Sequence, residues 1–495
     1  MKKLDSNSQL QTLQTGIPGL DAILCGGLPA HRVYLIEGHP GSGKTSLSLK
    51  FLMEGVRNKE TCLYVALSES SGELKAVADS HGWNLDGIDI FELPAEQRLE
   101  TNSQNTFFYT SELELGETNE AIMKEIARVN PSRVVFDSLS ELKLLAQDPM
   151  KFRRQVMALK QFFLKQGATV LLLDDKTASG ELELQSIVHG VIHLEQLAPE
   201  YGAERRRLKV TKLRGLGYRG GYHDFMIRKG GPVVFPRLVA ADHSTTNSLT
   251  GQISSGISGL DRLIGGGVDR GTSTLFIGPA GSGKSTLAVQ YVLEAAKRGE
   301  HSAIFAFDEG TRTMLARAKG MGAELEPYVD SGLIMIKQID PAELSPGEFM
   351  SLVRDSVEIN KAKVVMIDSL NGYLNAMPEE RFLVIQMHEL LTYLGQMGVV
   401  TFLIVAQHGL LGTAMETVVD ISYLADNVLL HRYFELSGDV RQALSVVKKR
   451  SGPHERTIRE LRLTSRGPEV GEPLKGFQGV LTGVPTILEN IRDHS

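Results

Sequence analysis

The chain of 495 residues contains only two cysteines, Cys25 and Cys62, and a single tryptophan, Trp83. Two thiols cannot build a disulfide framework, so a packed core has to hold the fold, and a reducing, cytoplasmic location is the expectation. Long hydrophobic runs are missing as well. No window approaches the roughly 18 consecutive apolar residues of a spanning helix, and the opening MKKLDSNSQL lacks the apolar stretch of a signal peptide. No membrane association is expected. Positive charge is not in excess either: 53 Lys and Arg against 59 Asp and Glu leave a net charge of −6, which supplies no global attraction for nucleic acid or anionic lipid. The remainder is ordinary. With 42% hydrophobic and 23% charged residues the chain has a globular composition, and its length suits two or three domains.

Glycine, by contrast, is plentiful, with 50 residues, and some of it is organised twice over. GHPGSGKT spans 38–45 and GPAGSGKS spans 278–285. In a Gly-x4-Gly-Lys-[Ser/Thr] run the glycines let backbone N–H groups crowd a triphosphate, the lysine reaches phosphate, and the hydroxyl reaches Mg²⁺. The candidate ATP-binding residues are therefore Gly38, Gly41, Ser42, Gly43, Lys44, Thr45 and Ser46, with Gly278, Gly281, Ser282, Gly283, Lys284, Ser285 and Thr286 in the second copy. Similarity extends beyond the octets. TGIPGLDAILCGGL and SGISGLDRLIGGGV match without a gap, Lys44 and Lys284 lying 240 positions apart, as do Asp21 and Asp261. Self-similarity on this scale is a duplicated domain. The polar stretch ADHSTTNSLTGQ, 241–252, suits a linker, which gives domains 1–246 and 247–495.

Short β-rich runs alternate with amphipathic stretches in each half, predicting a βαβ series around a parallel sheet. The runs are RVYLIEG, TCLYVAL, RVVFD and ATVLLLD, then HGVIHLEQL, RRLKVTKLRG and DFMIRKGGPVVF; TLFIG, SAIFAFD, KVVMID, VVTFLIVA, NVLLHRYFEL and QALSVVKKR echo them. Helices are predicted over 149–167 and 379–398, each stretch closing on a glycine. Each phosphate loop then joins a strand to a helix, whose N-terminus adds partial positive charge. Asp137 and Asp368 end apolar strands downstream of the loops, where a carboxylate meets Mg²⁺ through water, so the metal set is Thr45 with Asp137 and Ser285 with Asp368. Hydrolysis also needs a group that orients or deprotonates water. The strand after each loop helix ends in Leu67-Ser68-Glu69 or Phe307-Asp308-Glu309, so Glu69 and Glu309 are assigned that role, with Asp308 as an additional base.

Taken over nearly its whole length, the sequence resembles the KaiC family of RecA-like ATPases. The resemblance rests on GIPGLD and GISGLD, both phosphate loops, TKLRG at 211–215, GYHDFMIRKGGPVVFP, LSVVKKRSGPHERTIRE at 444–460 and GFQGVLTGVPTIL at 476–488. It implies two tandem RecA-like P-loop NTPase domains, each a mostly parallel twisted α/β sheet flanked by helices, the second carrying a C-terminal segment. It also implies a homo-hexamer of two stacked rings with ATP between neighbouring subunits, and regulatory protein partners. The Lys-x-Arg of the late strand then reaches phosphate across the interface, which implicates Lys212 and Arg214 in one ring and Lys448 and Arg450 in the other. In the family two adjacent glutamates occupy the catalytic position; here Ser68 stands beside Glu69, while Asp308-Glu309 keeps both acids. The resemblance further implies serine/threonine autokinase activity in the second domain. The matching segment reads DISYLADNV: Ser422 is the acceptor candidate, Thr417 a poorer one, and Tyr423 stands where the family has threonine.

Other features carry less. ERRRLK at 204–209 reads as a solvated face, Trp83 as packing, and His189, His193 and His408 lack the spacing of metal ligands. A RecA-like recombination motor acting on DNA is the competing function, opposed by the acidic balance; a scaffold that binds nucleotide with little turnover is a third. DNA binding would weaken steeply with salt in a filter assay, which separates the first two.

Overall fold

A computed structural model describes residues 11–92, 110–146, 148–175, 182–198, 202–243, 251–375, 382–407, 423–475, 477–480 and 486–487. It divides into two compact units, Met1–Arg237 and Leu238–Ser495. On the second side of that division Leu238 and Ala240 join the apolar core of the second unit, and the Ala240 N–H donates to Glu389 at 3.0 Å.

In the first unit nine strands form one sheet: β1 (Val33–Gly38), β2 (Cys62–Ala66), β3 (Ile88–Glu92), β4 (Arg133–Asp137), β5 (Thr169–Asp175), β6 (Gly190–Leu197), β7 (Arg205–Leu213), β8 (His223–Arg228) and β9 (Gly231–Phe235). Their order is β9-β8-β7-β6-β1-β5-β4-β2-β3. The six strands from β6 to β3 run parallel, and β7 to β9 add an antiparallel extension. The second unit repeats this with β10 (Ser273–Gly278), β11 (Ser302–Ala306), β12 (Ile334–Gln338), β13 (Val364–Asp368), β14 (Val400–Ala406), β15 (Asn427–Leu436), β16 (Asp439–Lys449), β17 (Arg459–Thr464) and β18 (Gly467–Pro473), ordered β12-β11-β13-β14-β10-β15-β16-β17-β18. Each unit is therefore a RecA-like α/β sheet with the phosphate-loop strand at its centre, where ligands of open parallel sheets bind beyond the strand ends.

Strand alternation supplies two cores per unit, because successive side chains leave opposite faces of the sheet. Tyr34 and Ile36 of β1 pack with Leu47 and Phe51 of the helix Lys44–Arg57, while Val33 and Leu35 face Val156 and Phe163 of the helix Pro149–Gln166. The latter helix begins with Asp148 accepting from the Lys151 N–H at 2.8 Å and ends on Gly167 in the left-handed region, φ 70°. The motif aspartates of GIPGLD and GISGLD are structural clasps. Asp21 accepts the backbone N–H and hydroxyl of Thr15, both at 2.8 Å, and Asp261 receives the same pair from Ser255 at 2.9 and 2.8 Å.

The predicted strands lie within or overlap the observed ones, and DFMIRKGGPVVF folds as two strands, β8 and β9, around a turn at Lys229–Gly230. Four strands carry no sequence expectation: β3, β12, β17 and β18. All lie at or next to a sheet edge, where partial exposure lets polar residues interrupt the apolar run, as in Ile88–Glu92.

His223 at the start of β8 is buried, and its neutral ring is used on both sides. Nε2 faces the Arg219 carbonyl at 2.9 Å, while Nδ1 accepts the Arg237 N–H at 2.8 Å. Burial, with the charges of Arg237 and Arg219 and against the Arg219 hydrogen bond, pushes the imidazole down to about 4. The unfolded chain binds this proton near pH 6.5, so the contribution is complete above that pH and disappears as pH falls towards 4, amounting to about 3 kcal/mol at most. Thermal melts between about pH 7 and pH 4.5 are expected to show falling stability with acid, and a shallower fall in His223→Gln. Parallel slopes for the two proteins would refute the assignment.

Candidate functional site

Each phosphate loop leaves a central strand and enters a helix, Lys44–Arg57 or Lys284–Lys297, whose N-cap is a left-handed glycine with no side-chain cap. The first N–H groups of both helices therefore turn into the loop. Gly43 has φ 99°, so the backbone there requires glycine, and a Cβ would also displace the end of the Ile227 side chain of β8, 2.7 Å away. The sequence-assigned loop residues fall at these turns. Ser42 and Ser282 are buried within them, and Ser282 donates to the Pro279 carbonyl at 2.8 Å. Ser46 and Thr286 lie in the first helical turn, with the Ser46 hydroxyl 3.5 Å from His81 rather than in the loop.

The lysines hold the loops from inside. Lys44 Nζ donates to the carbonyls of Gly38 at 2.8 Å and His39 at 3.1 Å, and lies 2.6 Å from the Asp175 carboxylate. Lys284 Nζ donates to the carbonyls of Gly278 at 2.9 Å and Pro279 at 2.5 Å. Burial pushes the Lys284 ammonium down to about 8, against the opposing charge of Asp368.

Asp137 and Asp368 end β4 and β13 beside these lysines. Burial raises both carboxyls above the usual range, opposed at Asp137 by the Tyr64 phenol and the nearby Lys44 and Thr45, and at Asp368 by the nearby Ser285 hydroxyl. Tyr64 of β2 donates its phenol to Asp137. The hydroxyl that follows each loop lysine thus lies near the carboxylate at the end of the second strand over. Such a hydroxyl–carboxylate pair matches the donor set for Mg²⁺, a hard cation held by few protein oxygens together with phosphates and water. Among the described residues no group of three or more His, Cys, Asp or Glu forms a self-sufficient metal cage.

The acids assigned to water activation differ between the units. Glu69 lies near the Thr45 hydroxyl, one of its oxygens is buried without a partner, and burial together with the charges of Asp137 and Glu73 pushes it up to about 7. Glu309 is held instead by Arg317, whose Nε and Nη2 reach its two oxygens at 3.1 and 2.7 Å. Asp308 accepts from the Ser369 hydroxyl. Val77 occupies the position equivalent to Arg317 in the first unit, so the clamp belongs to the second alone. Arg317 carried no signal in the sequence, since only the turn of helix Thr311–Gly320 brings it back over Glu309.

Lys212 and Lys448 lie on the late strands β7 and β16, and Arg214 and Arg450 directly follow the last residues of those strands. Lys212 donates to the Gln185 carbonyl at 2.5 Å and Arg214 to that of Ser186 at 3.4 Å; Lys448 donates to Ala425 at 2.7 Å and Arg450 to Tyr423 at 2.8 Å. Arg450 also lies 3.4 Å from Asp426. Ser422, Thr417 and His408 fall outside the described residues, whereas Tyr423 is described and exposed. His193 is buried between Glu37 and Glu195, at 3.2 and 3.1 Å, and His189 accepts the Val33 N–H at 3.1 Å. The ERRRLK segment is more engaged than a solvated face: Arg207 pairs with Glu195 at 2.7 Å and stacks over Tyr222 at 4.2 Å. Trp83 is buried, donating to the Gly230 carbonyl at 3.1 Å. No helix among the described residues is long and apolar enough to cross a membrane.

A family model described as "ATPase: KaiC" matches residues 13–239 and 253–475. The chain is 26% identical to the circadian clock protein KaiC3 of Synechocystis sp., over 96% of this chain and 95% of that one. It is also 26% identical to the circadian clock oscillator protein KaiC of Acaryochloris marina, over 98% and 93%, and 27% identical to that of Prochlorococcus marinus subsp. pastoris, over 96% and 94%. With both repeats matched, both phosphate loops built on equivalent strands and an acid at the end of each β4-type strand, the chain belongs to the KaiC family of ATPases.

Proposed function

We propose that this ATPase binds Mg-ATP in both repeats and hydrolyses it between subunits of a cytoplasmic homo-hexameric double ring, in clock-like or signalling regulation with protein partners. The reading is carried by the repeated convergence of Thr45 with Asp137 and of Ser285 with Asp368 beside an uncapped helix start. Mg²⁺, when bound there, neutralises charge on the β- and γ-phosphate oxygens. The loop N–H groups and Lys44 or Lys284 orient the triphosphate. Glu69 in the first site, half-buried and pushed up to about 7, takes the proton of the attacking water. In the second site Asp308 serves, because Glu309 is committed to Arg317. Lys212 with Arg214, and Lys448 with Arg450, leave their home carbonyls to stabilise transition-state charge in the adjoining subunit.

Autokinase activity is the further part of the proposal. The Ser422 oxygen forms the new bond to the γ-phosphorus, its proton passes to Asp308, and ADP leaves; Thr417 is the secondary acceptor. Mass measurement with and without Mg-ATP, phosphate release and phosphopeptide mapping on one sample test the whole reading. A six-fold mass increase, steady release and label at 422 are expected. A monomer saturated with nucleotide, or absence of phosphate release, overturns the ATPase reading, and absence of label at 417 and 422 removes the kinase part.

A further inference from the structure

An ammonium group has three N–H donors. In the first unit all three directions are taken within the protein: Lys44 Nζ meets the Gly38 carbonyl at 2.8 Å, the His39 carbonyl at 3.1 Å and Asp175 Oδ1 at 2.6 Å. In the second unit, among the described residues, Lys284 Nζ meets only the two loop carbonyls. The difference traces to one position. β5 ends with Asp175 opposite Gly38 of β1, and β14 ends with Ala406 opposite Gly278 of β10. The equivalence is fixed by the same strand-end tether, since the Asp175 N–H donates to Ser140 at 3.1 Å and the Ala406 N–H to Asn371 at 2.8 Å. Both the tether and the strand end lie 231 positions apart, as do Asp137 and Asp368.

We propose that Asp175 is a latch on the phosphate-loop lysine of the first site, which an incoming nucleoside triphosphate displaces and which the second site lacks. Of the three acceptors on Lys44, the two carbonyls are backbone groups whose positions the chain at Gly38 and His39 fixes. The Asp175 carboxylate is the exchangeable one: its side chain is 31% exposed, and its backbone, not its carboxylate, is tied to the sheet by Ser140. Phosphate oxygens seeking Lys44 compete with a carboxylate for the same N–H, and once bound they sit beside its negative charge. Both effects oppose nucleotide binding at the first site and are absent at the second. Asp175 is thus a specificity-setting neighbour of Lys44 that makes the tandem sites unequal.

The inference rests on the nucleotide-site reading of the loop, and the test keeps the two apart. Full-length protein carrying Lys284→Ala, so that only the first site reports, is titrated with a fluorescent N-methylanthraniloyl-ATP in Mg²⁺, with and without Asp175→Asn. The amide is isosteric, so the fold is retained while the charge is lost. Binding at least about five-fold tighter in Asp175→Asn is expected, the gain shrinking as salt screens the carboxylate. The reciprocal Ala406→Asp in a Lys44→Ala background is expected to weaken second-site binding by a similar factor. Unchanged binding in Asp175→Asn overturns the latch, and weaker binding overturns it too, by making Asp175 a support that aims Lys44 at phosphate. Absence of binding in both the parent and the variant overturns the nucleotide-site reading itself.

Discussion

Glu69→Gln is expected to lower turnover of the first site by about 10²–10⁴-fold, the range for losing a positioned general base. Full-length protein with Lys284→Ala isolates that site, and steady-state phosphate release measures it. Ser68 brings no proton acceptor of its own, so no neighbour on the same loop substitutes for Glu69. In the second site, isolated by Lys44→Ala, the losses are expected to divide differently. Asp308→Asn removes the acid that faces Ser369 and falls in the same range, whereas Glu309→Gln costs less than about ten-fold because that carboxylate is occupied by Arg317. Equal losses for Asp308→Asn and Glu309→Gln would break the distinction between the sites.

Arg214→Ala and Arg450→Ala are each expected to remove about 10³–10⁵-fold of turnover from the site they complete, the range for an arginine finger. Neither guanidinium contacts its own phosphate loop, and both point to carbonyls of their own late-strand neighbourhood. Mixing decides whether they act across an interface. Arg450→Ala copies supply intact second-site loops and Lys284→Ala copies supply intact fingers, so mixed assemblies regain second-site activity that neither parent has. No recovery above the sum of the separate proteins would show that the arginines act within their own subunit or not at all. The two fingers also differ at home. Arg450 is paired with Asp426, while the equivalent position in the first unit is His189, whose imidazole is pushed down to about 4 by burial and by Lys160, Arg32 and Arg214. Arg214 therefore leaves a repulsive neighbourhood and Arg450 an attractive one.

Much of this was legible in the sequence for a local reason. A phosphate loop is contiguous, its flanking strand and helix are contiguous, and Asp137 and Asp368 stand at the ends of short, valine-rich apolar runs whose length and β-branched content favour buried strands. The duplication supplied a second copy of each signal. What stayed hidden depends on register. Asp175 looks like the last residue of ATVLLLDD until β5 is laid against β1 and its carboxylate meets Lys44. Arg317 is one of several basic residues in TRTMLARAKG until a helical turn brings it back to Glu309. The edge strands β3 and β12 were silent because exposure on one side removes the apolar continuity by which inner strands are recognised.

The clasps formed by Asp21 and Asp261 reach beyond their own neighbourhoods. Each ties the opening segment of its repeat to a helix six residues further on, beside a two-residue pairing, Thr12–Leu13 with Leu28–Pro29 or Gln252–Ile253 with Val268–Asp269. Whatever was copied when the ancestral gene doubled therefore came with its own fastening, and tandem fusion had no loose leading end to repair.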